Sequence, residues 1–167
     1  MARVCLVGSE DCNLRYELLS RETARDALAT YDLQEPFANT IAVETVSLGA
    51  AVALLNDLNW YLVRFTDATM VLEPSVSETE WLSRELAVSM RDGDVDEEER
   101  DRFLKVYGVE QPDDVDEGGD EDRDLDHEPR LVEPMLVTRT GDTIPEYDLR
   151  DIDETLVVRL TKAEFGA

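Results

Sequence analysis

Lysine is nearly missing from this chain: of 167 residues only Lys105 and Lys162 are lysine, against fourteen arginines. Histidine occurs once, at His127, inside a run of acids, which excludes Ser-His-Asp and Cys-His catalysis in practice. No G-x-S-x-G and no G-x-G-x-x-G is present, so neither a nucleophile elbow nor a dinucleotide cradle is expected. Cys5 and Cys12 are the only cysteines, too few for a zinc-ligand set or a disulfide framework. Long apolar runs are missing too. The most apolar stretch, "LGAAVALLNDLNWYLV", is broken by Asn56, Asp57 and Asn59 and cannot span a bilayer. No apolar segment follows a basic N-terminal region, so the reading expects no secretory signal, no membrane partner and a cytoplasmic location.

What the chain has in excess is acid. Forty carboxylates against sixteen cations give a formal charge of −24, which opposes compaction in dilute buffer. Eleven acids and only Arg123 lie between Glu110 and Glu128, a net of −10. The remainder therefore carries −24 + 10 = −14, and the acidity is not confined to one segment. Pervasive acid with scarce lysine is the surface of a protein working in molar salt, where the Debye length falls to ~3 Å and self-repulsion is screened. The arginines are scattered among acids with no basic stripe, so nucleic acid is not an expected partner. Hydrophobic residues at 43% still suffice for a core.

Along the chain, "ARVCLVG" reads as a buried strand ended by Gly8. Leu14 to Tyr31 has helical spacing, as one bent helix or two short ones, with Ser20 able to cap the second. "DLQEPFAN" is a loop and "TIAVETVS" a strand. Ser47 is placed to cap a core-facing helix through Leu48, Ala51, Val52, Leu55 and Leu58. Asn59 then suits a left-handed C-cap, "WYLVRFT" reads as a strand, and a turn at Asp67-Ala68 returns the chain as "TMVLEP". "SETEW" reads as a capping box starting a helix at Ser77 that stops at Gly93. Asp94 and Glu97 open a further helix closed by Gly108.

The expected fold is α/β (α+β). A mixed sheet follows the element order β-α-β-α-β-β-α-α, then come an acidic linker and two C-terminal strands that join the same sheet. The expected division is a main domain over 1–108, an acidic flexible linker over 109–129, and a β-rich tail over 130–167 docked on the main domain. A tail that short, without staples, cannot fold alone.

Candidate sites are few. Calcium-loop frames starting at Asp114 or Asp92 put Leu125 or Phe103 where a bidentate Glu is required, so neither works. Glu10 and Asp11 in "GSEDCN" would repel a phosphate. With Asp67 and Lys162 they resemble the acid-and-lysine set of phosphoacceptor receiver domains, but they sit two residues beyond the strand, and a hairpin replaces the helix after Asp67. Cys12 stands near a helix start, yet Glu10 and Asp11 oppose its ionisation. Arg64, Arg139 and Arg159 read as strand arginines that, if partly buried, need carboxylate partners or could receive an anionic ligand, structural ion pairs being the favoured reading. Trp60, Tyr61, Trp81 and Phe37 supply core mass, any exposed member of the set marking a contact surface.

The segments "VCLVGSEDCNLRYELLSRE", "NTIAVETVSLGAAVALLNDLNWYLVRF" and "GDTIPEYDLRDIDETLVVRLT" resemble those of small haloarchaeal proteins grouped as a domain of unknown function. That family has no assigned activity or catalytic residues, so the resemblance implies an origin and a cytoplasmic location but no mechanism. The leading expectation is a non-catalytic protein-binding or regulatory module, with another protein as its partner, no cofactor and no catalytic residue. The alternative is a small-ligand or metal-dependent enzyme with its site near Gly8–Asn13, Ser47 and Asp67, where Glu10, Asp11 and Asp67 would hold the metal. Such an enzyme requires one cavity joining those three places.

Overall fold

The alternation in "ARVCLVG" sorts β1 (Ala2–Gly8) into two faces. Ala2, Val4 and Leu6 pack under helices, while Cys5 and Val7 turn to the other side of the sheet. The computed structural model describes residues 1–93, 101–111, 129–141, 143–149, 152 and 154–165. Within them β1 is followed by α1 (Leu14–Leu19), α2 (Glu22–Leu28), β2 (Thr40–Thr45), α3 (Leu48–Asp57) and α4 (Asn59–Phe65). Then come β3 (Thr66–Leu72), β4 (Trp81–Ser83), α5 (Arg84–Asp92), β5 (Phe103–Glu110), β6 (Arg130–Thr138), β7 (Thr155–Leu160) and the short α6 (Lys162–Phe165).

The seven strands form one mixed sheet in the order β2-β1-β3-β4-β7-β5-β6. The α/β class and the joining of both C-terminal strands to the main sheet are as the sequence leads one to expect. Pairing is antiparallel among the described residues except between β4 and β7. The sheet is rolled. The amide of Ala38, just before edge strand β2, donates to the carbonyl of Pro129, just before the opposite edge strand β6, at 2.7 Å. In a flat seven-stranded sheet those edges would stand about 29 Å apart. The convex face packs under α1 to α5 around Leu6, Leu18, Leu55, Leu58, Val71 and Leu82. Cys5, Met70, Tyr107, Leu156 and Val158 fill the inside of the roll.

Several elements differ from the sequence reading. Residues 14–31 divide at Ser20, which closes α1, and α2 begins after Arg21, whose side chain makes no capping bond. Segment 59–65 is the helix α4, not a strand. Leu58 and Leu62 continue the buried stripe of α3 at a spacing of four, and that periodicity outweighs the strand preference of Trp, Tyr and Val. Asp67 and Ala68 accordingly lie within β3, with no turn there, and β3 pairs with β1.

Ser77 does accept from the amides of Thr79 and Glu80, but this caps a turn rather than a helix. Trp81–Ser83 continues as a strand, and Ser83 supplies the true cap of α5 by accepting from Leu86 N at 3.1 Å. The helix expected to end at Gly108 is contradicted over 103–110, where β5 is buried on both faces between β7 and β6. Its expected start at Asp94 and Glu97 lies outside the described residues, as do residues 112–128 of the acidic linker expected over 109–129, while Val109 and Glu110 at its start end β5. No helix among the described residues is long and apolar enough to cross a membrane.

Candidate functional site

The loop after β1 is shaped by Asn39. This residue has a left-handed backbone (φ 55°), a conformation asparagine tolerates better than most residues. Its carboxamide nitrogen donates to the carbonyls of Ser9 (2.8 Å) and Cys12 (3.0 Å), and its carboxamide oxygen accepts from Leu14 N (2.9 Å). The loop polar groups are thereby consumed in holding the loop. Glu10 and Asp11 point to solvent. Cys12 donates to the carbonyl of Phe65 at 3.3 Å. Its thiol is pushed above the usual range chiefly by burial, with Asp11, Glu17 and Asp67 adding to the effect against one backbone hydrogen bond from Ser9. It is not an activated nucleophile.

The three places of the enzyme alternative do not meet. Ser9 N donates to Phe65 O at 2.9 Å, so the Gly8–Asn13 loop and Asp67 share one end of the sheet. Ser47 lies past Thr45, which pairs with Ala2 at the opposite end of β1, about 20 Å away. There it does what a cap does, accepting from Ala50 N at 3.1 Å. Among the described residues no group of three or more His, Cys, Asp or Glu side chains could hold a metal ion.

Of the three arginines expected in strands, Arg64 instead belongs to α4 and Arg139 follows β6 directly. Arg139 and Arg159 converge on Glu80, Arg159 Nε donating to Glu80 Oε1 at 2.8 Å, with all three side chains only 12–16% exposed. Arg139 also donates to Asp101 O. This is a structural ion cluster, its partners already chosen.

A cavity of about 320 Å³ opens beside Asp67, at the lower end of the size range of small-molecule pockets. Its apolar wall comes from Met70, Val158 and Leu160 inside the roll and from Leu62 and Val63 of α4. Lys105 and Tyr107 project into it from β5. Two residues apart on a strand, they share one face. The Lys105 ammonium donates to the Tyr107 hydroxyl at 3.4 Å. Tyr107 is 8% exposed, and its phenol is pushed up to about 12 by burial first, then by Asp67 and Cys5. It stays protonated and acts as a donor. Glu164 closes one side, where it accepts from Ser83 Oγ (2.5 Å) and Thr161 N (2.9 Å). Arg84 at the rim is turned away, donating to Asn59, Asn56 and the carbonyl of Leu55.

Sequence alone does not single out Lys105 and Tyr107, because 103–108 reads as the end of a helix. The available signal was one of only two lysines set inside the apolar string "FLKVYG".

Beside the cavity, α4 exposes Trp60 (48%) and Val63 (70%). The Arg64 guanidinium lies 3.8 Å from the centre of the Trp60 ring, and that of Arg21 5.6 Å from it. Phe65 and Tyr61 meet the same indole edge-on, with ring centres 6.3 and 5.0 Å away. This cluster answers where an exposed aromatic stands.

Residues 2–109, some two thirds of the chain, match a family of unknown function (DUF5804). The chain belongs to that family. The match takes in β1 to β5, including Lys105, Tyr107 and the whole of α4, and stops before β6 and β7. The C-terminal segment that contributed to the expected resemblance lies beyond it. No curated protein and no solved structure matches the chain.

Proposed function

We propose that this member of the family is a non-catalytic protein-binding module of the cytoplasm of a salt-loving archaeon, and that the exposed face of α4 is its contact surface. The observation that carries the reading is Trp60. A half-exposed indole flanked by two arginines is the side-chain chemistry that dominates binding energy at protein interfaces. In a chain with forty acids, α4 carries Arg64 and no acid at all. A partner presenting carboxylates around an apolar contact meets complementary charge here and repulsion over most of the remaining surface. The acid-rich, lysine-poor composition supports the high-salt setting.

The test compares the full chain with Trp60→Ala as bait in molar potassium chloride. The expected result is one defined protein retained by the parent chain and lost from Trp60→Ala, while circular dichroism shows the variant folded. It is also retained when residues 112–128 are replaced by a neutral linker. A partner held equally by Trp60→Ala overturns the assignment of this surface.

A further inference from the structure

Lys105 is half-buried, and no carboxylate among the described residues lies within 4.0 Å of its ammonium, in a protein with far more acids than cations. Among the described residues its one hydrogen bond is that to the Tyr107 hydroxyl at 3.4 Å, a long and weak one. The proton of that hydroxyl has no acceptor among the described residues. The remaining ammonium protons and the hydroxyl proton therefore converge on a cavity of about 320 Å³ with no acceptor for them among the described residues. A part-buried donor left without an acceptor costs free energy that a suitable ligand recovers.

The geometry points to a binding site for a small monocarboxylate with a short apolar tail, its carboxylate held by Lys105 Nζ and the Tyr107 hydroxyl and its tail against Met70, Val158 and Leu160. Each part of that ligand answers a feature of the cavity. A neutral apolar molecule would leave both donors unpaired. A cation would face the Lys105 ammonium. A phosphate or a dicarboxylate would bring a second negative charge toward Asp67, Glu85 and Glu164, which line the same cavity. One negative charge joined to a short run of carbon fits all of these. The site adjoins the exposed face of α4 and shares Val63 with it, but Trp60 is not among its lining residues, and its test needs no protein partner.

The experiment titrates 4-methylpentanoate into the full chain in molar potassium chloride, with ligand-observed NMR as readout and chloride present as competitor in every arm. The matching amide, succinate and inorganic phosphate are the comparison ligands. The expected order is carboxylate first, with the amide weaker by roughly tenfold and succinate and phosphate weaker still. Lys105→Met is expected to weaken the carboxylate by roughly tenfold or more and Tyr107→Phe by a few-fold. Lys105→Arg keeps the charge and should bind more tightly than Lys105→Met, with circular dichroism confirming that each variant is folded. The proposal is overturned by any of four results: no binding up to roughly 10 mM, an amide equal to the acid, phosphate or succinate ahead of it, or a folded Lys105→Met that binds like the parent.

Discussion

The backbone carbonyl of Asn39 accepts from Gly8 N at 2.8 Å, and a Cβ on Gly8 would lie 2.8 Å from that carbonyl oxygen and 2.6 Å from the Asn39 carboxamide nitrogen. Glycine is required at position 8 because the two backbones touch, not because of an unusual dihedral. Gly8→Ala is expected to destabilise the fold by about 1–3 kcal/mol through overpacking. Asn39→Ala, which removes three hydrogen bonds and leaves a left-handed residue without asparagine, should cost about 2–4 kcal/mol. Asn39→Gly keeps the backbone conformation and should cost less than Asn39→Ala. Denaturant titration of the three variants in molar salt measures the order.

Glu80 holds Arg139 and Arg159 together where none of the three is well solvated. Glu80→Gln leaves two guanidinium groups facing one another without a counter-charge, and the expected loss is about 3 kcal/mol. A double-mutant cycle of Glu80→Ala with Arg159→Ala should show a coupling above about 1 kcal/mol. Additive effects would show that the cluster contributes nothing jointly.

Cys5 is fully buried inside the roll, and its thiol is pushed from 9.0 up to about 12, mainly by burial. The fold thus holds the neutral form. With a folded value above the unfolded one, the stabilisation is complete below about pH 9 and is lost as pH rises toward 12. Tyr107, raised from 10.0 to about 12, adds to the same alkaline decline. Melting temperatures taken from about pH 7 to about pH 11 should fall steeply above pH 9, and less steeply in Cys5→Ala. In the native protein a thiol reagent should label Cys12 slowly and Cys5 only on unfolding.

Replacing residues 112–128 removes ten acids and Arg123, a change of +9 in net charge. If the run acts as a solvated tether, the melting temperature in molar potassium chloride stays within a few degrees. The replaced protein should also hold its fold at lower salt than the parent, because less self-repulsion needs screening. Melting curves across a salt series decide both points.

What could be read from the sequence was whatever is decided locally. Ser47 caps α3 as its spacing foretells, and the alternation in "ARVCLVG" and "TIAVETVS" gives β1 and β2. The failures share one cause. "WYLVRF" and "FLKVYG" are both aromatic and β-branched strings, and nothing within seven residues says which is the helix. The first is settled by Leu58 and Leu62 lying over the sheet, the second by neighbours 50 and 30 residues downstream. The site inherits that limit. Asp67 is a candidate from sequence alone and does line the cavity, but Lys105 and Tyr107 face it only because β5 is a strand.

The order β4-β7-β5 also has a consequence in time. A chain emerging from the ribosome completes β4 and β5 long before β7 exists, and the sheet cannot close while that middle place is empty. Until then "WLS" and "FLKVYGVE" have open edges ready to pair with any extended chain nearby. Synthesis must therefore pass through an interval in which the protein is vulnerable to aggregation, and the dense negative charge already translated by then is well suited to keep neighbouring nascent chains apart.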